Sequence, residues 1–308
     1  MPKATISIIT CRRPEGLARL LESLVLQQVI SGDELDIAVV DNACEAATKQ
    51  VVTEFQSRSP FPIKYYEEPE PGIVAARNKC VEQFLSSDSD CLIFIDDDEW
   101  TQDNHWAHNL LQAQKKYQAD VVASHVISKG EAGTPSWATE LLYGDNQLKE
   151  GQVLTTFYTG NLLITRTVLE AIKPAFDYRF AMTGASDYHF ALKCQKQGFA
   201  AFYTDAPAIE EFPKSRATIK WFAKRGFRSG IGHTRSHLFE DAMVKAVGLC
   251  LILAGIRFVR GIAYLILGLV TLNKLRFVDG IFRLSSFAGS LAGFFGVRHN
   301  EYETIYGK

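Results

Sequence analysis

Three short apolar runs in this chain stop abruptly on polar or acidic residues. Residues 4–10 (ATISIIT) lead into Cys11-Arg12, residues 35–40 (LDIAVV) into Asp41-Asn42, and residues 91–95 (CLIFI) into Asp96-Asp97-Asp98-Glu99. Runs this short and apolar read as buried strands, the first by its β-branched residues as well. Between them lie stretches of helical spacing. Leu17, Leu20, Leu21, Leu24 and Val25 follow Pro14, a residue that a first helical turn tolerates. The same reading predicts helices over 46–57, 72–85 and 104–117, and strands over 63–66 and 120–127. Strand and helix in alternation build βαβ units and a mostly parallel sheet. In such sheets ligands bind beyond the carboxyl ends of the strands. Packing alone does not account for polar clusters recurring at that edge.

Further along, residues 128–155 are rich in Gly, Thr and Ser and read as a loop or flap. Residues 159–165 and 199–204 read as strands, and 186–197 as a helix with Gly198 as its C-cap. A basic helix is predicted over 215–228. From residue 242 to 297 the composition changes. Ala246–Ile256, Gly261–Asn273 and Leu284–Val297 are charge-free runs of 11, 13 and 14 residues. Each falls short of the roughly 20 apolar residues that cross a bilayer, and Arg257 and Arg260 interrupt the one stretch that would reach. Amphipathic or re-entrant helices at a membrane interface are expected, with a kinked spanning hairpin, a buried helical subdomain and a dimer interface as alternatives. The chain therefore divides into residues 1–235, an α/β domain, and 236–308, a helical membrane-associated region.

The net charge of −2 hides an asymmetry. Between Lys214 and Arg283 stand 13 Lys/Arg against 3 Asp/Glu, which leaves 20 basic and 32 acidic residues elsewhere. The near-neutral total argues against a nucleic-acid partner. The basic, apolar end points to an anionic membrane surface. Six cysteines, at 11, 44, 80, 91, 194 and 250, show no metal-ligand spacing and are too sparse for a disulfide scaffold. With no signal-peptide core after Met1-Pro2-Lys3, the expected place is the cytoplasmic face of the cell membrane.

Asp96–Glu99 is the strongest chemical signal. Carboxylates this close repel unless a cation sits among them. Mg²⁺ or Mn²⁺ suits such a site, taking one or two carboxylates and substrate phosphates as ligands. A solvated turn or a helix-start bias is the plain alternative. Trp100 stands where a DDxxD diphosphate site needs its last Asp.

Taken together, these segments resemble a family 2 inverting glycosyltransferase of the bacterial polysaccharide-biosynthesis type. Its GT-A fold is a Rossmann-like, mostly parallel sheet flanked by helices. The resemblance is carried by Thr10-Cys11-Arg12-Arg13-Pro14, Val39-Val40-Asp41-Asn42, Gly72 with Ala76-Arg77-Asn78, Asp96-Asp97-Asp98, Gly160-Asn161 and Thr183-Gly184-Ala185-Ser186-Asp187. It covers about residues 4–235 and rests on their order and spacing together.

The resemblance implies metal-dependent transfer of a sugar from a nucleoside-diphosphate sugar, UDP by default, to a lipid-linked or saccharide acceptor in cell-surface polysaccharide synthesis. Asp41 would contact the nucleoside, or else cap a helix. Thr10 and Arg12 would lie along the nucleotide, with Arg12 or Arg13 as a surface charge in the alternative. Arg77 would reach the nucleotide, pin the acidic cluster, or pair with a structural carboxylate. Asp98 and Asp96 would hold the metal, with Asp97 between them and Glu99 behind. Asn161 would bond a sugar hydroxyl, and Trp137 would stack on a sugar or anchor the flap. Arg225 and Arg228, with His233 and Arg235, would meet the diphosphate or an acceptor, line a solvated face, or meet lipid headgroups. Asp187 would be the catalytic base, or with Ser186 a helix cap. Ser186 stands where the family has Glu, and His189 is an alternative base. A catalytically silent nucleotide-sugar-binding module is the alternative function. The complete set Asp41, Asp96, Asp98 and Asp187 favours the enzyme. A nucleotidyltransferase ranks lower, because residues 10–16 hold only one glycine.

Overall fold

The computed structural model describes residues 3–30, 32–143, 148–181 and 183–297. Its elements run β1 (Lys3–Thr10), α1 (Pro14–Leu24), β2 (Glu34–Asp41), α2 (Ala46–Arg58), β3 (Ile63–Glu67), α3 (Ile73–Leu85), β4 (Cys91–Asp96) and β5 (Glu99–Thr101). Then come α4 (Trp106–Tyr117), β6 (Val121–Ala123), β7 (Val126–Gly130), α5 (Ser136–Tyr143), β8 (Val153–Leu154), β9 (Leu162–Thr165) and α6 (Arg166–Ala171). The chain ends with α7 (Ser186–Lys196), β10 (Ala201–Tyr203), β11 (Ala208–Phe212), α8 (Ile219–Glu240), α9 (Met243–Val270) and α10 (Lys274–Phe294).

The main sheet has the order β3-β2-β1-β4-β9-β6-β10-β8. β3, β2, β1 and β4 are parallel, as are β6 and β10; β9 and β8 enter antiparallel. The mostly parallel sheet read from the sequence is present. Register decides where the polar strand ends go: Thr10 faces Asp41, Ile9 faces Asp96, and Asp41 faces Glu67. The predicted clusters thus share one edge. Below them Ile6, Ile8, Ile37, Val39, Ile93 and Ile95 form a core with Leu17, Leu20, Leu21 and Leu24 of α1. All four leucines are fully buried.

Three predicted elements differ. The strand over 120–127 is two strands. At the break Ser124 donates its N–H to the Asn161 carbonyl and accepts the Ala206 N–H on Oγ, so the chain leaves the sheet there. The flap over 128–155 contains α5, whose Trp137 and Ala138 are buried with Phe212, Phe222 and Val278; residues 144–147 lie outside the described residues. The basic helix over 215–228 is α8, which starts later and runs on to Glu240. Thr218 caps it, its Oγ1 accepting the Trp221 N–H at 3.2 Å.

The chain separates into two compact units. One comprises Met1–Ile127, Asn146–Tyr178 and Lys193–Glu210; the other comprises Ser128–Asp145, Arg179–Leu192 and Glu211–Lys308. In the second, α8, α9 and α10 lie close. A Cβ on Gly226 or Gly230 would strike the backbone of Phe282 or Ser286, and one on Gly289 would strike that of Phe227. α9 is one continuous helix of 28 residues, long and apolar enough to cross a membrane. It bridges the first two charge-free runs because Arg257 turns inward. Its Nη1 donates to Ser290 Oγ at 2.5 Å and its Nη2 to His233 Nδ1 at 2.6 Å.

Candidate active site

In the first unit the turn after β4 concentrates negative charge. Asp97 and Glu99 are buried, and Glu99 stands directly opposite the buried Glu210 where β5 and β11 pair antiparallel. Arg13, immediately before α1, answers part of this charge. Its Nη1 donates to Asp98 Oδ2 at 2.8 Å and Asp97 Oδ1 at 3.2 Å. Glu99 Oε2 accepts the Asp96 N–H at 3.1 Å, which folds the turn back on itself. Two glycines allow the crowding. A Cβ on Gly16 would lie 2.6 Å from the Asp97 carbonyl oxygen, and one on Gly160 would lie 2.6 Å from Glu99 Oε1.

Burial raises two of these carboxyls. Burial, then Asp98, pushes the Asp97 carboxyl up to about 7, while Arg13 and Thr10 pull it down. Burial, then Asp96 and Asp98, holds Glu99 well above the usual carboxylate range. This donor set fits a hard divalent cation. Among the described residues no three acidic, His or Cys side chains gather as a metal cage.

The loop after β2 is held by the Asp41 carboxylate. Asp41 is fully buried, and its carboxylate accepts the N–H of Ala43 and of Glu45 at 2.9 Å each and the Tyr65 hydroxyl at 2.9 Å. It braces the turn ahead of α2 and presents no exposed edge to a nucleoside. Asn42 Oδ1 accepts the Gly72 N–H at 2.8 Å, while its Nδ2 donates to the Glu68 and Glu70 carbonyls. Gly72, with φ of 121°, makes the turn into α3 that a side chain would strain. Thr10 is buried at the end of β1; Arg12 is exposed, its Nε 3.4 Å from Glu45 Oε1.

Asn161 and Arg77 are both buried. Asn161 is fully buried. Its Oδ1 accepts the Trp106 indole N–H at 3.0 Å, and its Nδ2 donates to the His125 and Ala206 carbonyls at 3.0 and 2.8 Å. Both amide hydrogens are committed, so the residue staples strands and does not reach a sugar. Arg77 is buried with its guanidinium 5.5 Å from the Phe176 ring centre, and Arg13 is hydrogen-bonded to the acidic turn. The signal available for Arg13 was its place directly before Pro14 at the helix start. Nothing in the sequence pairs Glu210 with Glu99.

In the second unit Asp187 is the second residue of α7 and half-buried, with Oδ1 accepting the Tyr188 N–H at 2.8 Å. Gly184 and Ala185, with φ of 71° and 67°, swing the chain into that helix. His189 is fully buried with Nε2 2.8 Å from Glu240 Oε1, so the alternative base is engaged elsewhere. The Tyr188 ring stacks on His233 at 4.0 Å, and its hydroxyl lies 3.1 Å from His237 Nε2. His237 Nδ1 in turn lies 3.0 Å from Asp241 Oδ2. Burial, then Arg257, pushes His233 down to about 3, so it is neutral and adds no cation to the basic segment. Arg235 is buried too, donating to Thr183 Oγ1 at 3.1 Å and to the Arg179 carbonyl at 3.0 Å. Arg225 and Arg228 are half-buried, with the Arg225 guanidinium 5.3 Å from the Trp221 ring centre. Trp137 packs against Phe222 at 5.6 Å between ring centres and is an anchor, not a sugar platform.

Known proteins match this architecture. Residues 5–173 match the family described as Glycosyl transferase family 2. The succinoglycan biosynthesis protein ExoM of Rhizobium meliloti (strain 1021) is 32% identical over 248 residues, covering 76% of each chain. Among solved structures, the mannosyltransferase PcManGT from Pyrobaculum calidifontis in complex with GDP-Man and Mn²⁺ superposes with a TM-score of 0.65 at 16% identity. That match covers 96% of this chain and 88% of the other. S. aureus TarS 1–349 in complex with UDP-GlcNAc gives a TM-score of 0.52 at 13% identity over 100% and 95% of the two chains. Identities this low establish the fold, which is GT-A, and nothing finer. The curated relative and the family match together place the chain: it is a glycosyltransferase and belongs to glycosyl transferase family 2.

Proposed function

We propose that this enzyme transfers a sugar, with inversion at the anomeric carbon, from a nucleoside-diphosphate sugar to a saccharide acceptor carried on a lipid in cell-surface polysaccharide synthesis. The observation that carries the reading is the acidic turn 96–99, drawn in by Arg13 at the carboxyl edge of the sheet in a family 2 chain. Residues 10–13 and 41–45 flank the place for the nucleoside, with Thr10 and Arg12 nearest and Asp41 acting through the loop it braces. Arg77, Arg225 and Arg228 supply cationic contact to the diphosphate. UDP is the default donor nucleotide; the complexes of TarS with UDP-GlcNAc and of PcManGT with GDP-Man support the donor class.

Asp98 and Asp96 hold a divalent metal, Mn²⁺ or Mg²⁺, with Asp97 between them. When bound, this ion offsets the negative charge that develops on the departing diphosphate. Asp187 takes the proton of the acceptor hydroxyl as its oxygen bonds to the anomeric carbon. The bond from that carbon to the diphosphate oxygen breaks with its electron pair, and the nucleoside diphosphate leaves. Residues 1–235 carry this chemistry. Residues 236–308 associate with the cytoplasmic face of the inner membrane, a reading supported by the long apolar α9.

A hydrolysis and transfer screen of nucleotide sugars with Mn²⁺ and Mg²⁺ tests the proposal. One donor should turn over, and EDTA should abolish that turnover. Turnover undiminished by EDTA would refute the role of Asp96 and Asp98; no turnover of any donor, with or without saccharide acceptors, would refute the transfer.

A further inference from the structure

We infer that α9 lies in the plane of one membrane leaflet, with anionic headgroups beside it, and does not cross the bilayer. This deepens the membrane association proposed above and rests on it. Among the described residues, the buried positions of α9 form one stripe: Ala246, Cys250, Ala254, Gly261 and Gly268. On the opposite side Ile252, Val259, Ile266 and Val270 are 64%, 66%, 52% and 77% exposed. These four recur at helical spacing and form one apolar row along the outside of the helix.

Length and composition alone would let α9 cross a membrane, but its two ends are not free to part. The start follows α8 by two residues, at Asp241, which is bonded to His237. The end turns directly into α10. There Lys274 sits 4.9 Å from the Trp137 ring centre, and Val278 is buried with Trp137, Phe212 and Phe222. The middle is held as well, by Arg257 on His233 and Ser290. α9 therefore lies along the flank of its folded unit over its whole length. Turning it across a bilayer would carry α8 into the hydrocarbon, with Lys220, Lys224, Arg225, Arg228 and Arg235. Arg260, exposed near the helix centre, would likewise point into lipid tails. In the plane of the leaflet it reaches headgroups by extending its stem. Lys245, Lys274 and Arg276 are exposed beside it and complement anionic lipid.

The test uses the full chain with Cys11→Ser and Cys44→Ser, and one spin label at a time on Ile252→Cys, Val259→Cys, Ile266→Cys or Val270→Cys. Vesicles are phosphatidylcholine with or without phosphatidylglycerol. From residue 252 to 270 the row is about 27 Å long at 1.5 Å per residue. In the plane of a leaflet, all four labels should show the same shallow depth within about one helical turn, roughly 5 Å. Binding should rise with phosphatidylglycerol and fall with salt. Labels whose depths differ by more than about 15 Å along the row, half its length, would overturn the orientation. Binding indifferent to phosphatidylglycerol would overturn the anionic partner. Labels shielded from both water and lipid would make the row a contact between copies. A chain that sediments with neither vesicle refutes membrane association itself, which is a separate failure.

Discussion

Asp97→Asn tests the charge balance at the acidic turn. In the folded chain burial holds the Asp97 carboxyl at about 7, against an ordinary 3.8. Between those values the folded protein keeps a proton that the unfolded chain has lost. Stability therefore falls as pH rises from about 4 to about 7, and the loss persists above that. At roughly 1.4 kcal/mol per pH unit the gap amounts to about 4 kcal/mol. Asn preserves the shape and an acceptor for Arg13 but cannot ionise. In EDTA-treated protein, Asp97→Asn should nearly match the wild type at pH 4. At pH 8 it should be more stable by up to about 4 kcal/mol. Urea unfolding at a series of pH values reads this directly. The raised Glu99 adds a slope to both proteins, so the difference between them reads Asp97 together with its interaction with Asp98. A difference that stays constant from pH 4 to pH 8 would refute the reasoning.

Asp187→Asn should lower transfer by about 10²- to 10⁴-fold, the range of a lost general base, while donor binding by calorimetry stays near wild type; an ordinary rate would end the base assignment. Asn161→Ala strands the Trp106 indole N–H and two carbonyls in the interior, so a loss of about 2–4 kcal/mol is expected in the urea midpoint. Wild-type stability with weakened donor affinity would restore the sugar contact. Gly160→Ala puts a methyl 2.6 Å from Glu99 Oε1. Its requirement for Mn²⁺ or Mg²⁺ should rise by at least about tenfold, an effect of roughly 1.4 kcal/mol, and an unchanged metal titration would contradict the packing described.

The strands and the acidic edge were legible because both are local. β1, β2 and β4 announce themselves by short apolar runs, and parallel register carries their polar ends to one side without further information. What each polar residue does there was not legible, because it depends on partners far along the chain. Asp41 and Asn161 have the residue types of ligand contacts, yet Tyr65, Trp106 and Ala206 consume them. Arg12 and Arg13 are indistinguishable by composition. A φ of 58° at Arg12 sends the chain past it, and Arg13 alone meets Asp97 and Asp98. Continuity of α9 was hidden for the same reason. Arg257 counts as a break in an apolar run until His233 and Ser290 show where its charge goes.

The acidic turn is built against its own stability. Gly16 and Gly160 remove the bulk that would keep α1 and the start of β9 away from it, and β11 sets Glu210 opposite Glu99. The Arg13 guanidinium is hydrogen-bonded to Asp97 and Asp98. A fold under selection for stability alone would replace such residues with neutral ones, since buried like charges repel and lose hydration. Their retention at the carboxyl edge of the sheet makes sense if the deficit is met from outside, by a cation arriving with a diphosphate. A cation arriving there would favour the ionised form of Asp97 and Glu99, which burial and neighbouring carboxylates disfavour in the free protein. Arg13 sets the limit of this arrangement. It hydrogen-bonds Asp97 and Asp98 and lowers the cost of their charge without removing the burial that keeps Asp97 raised.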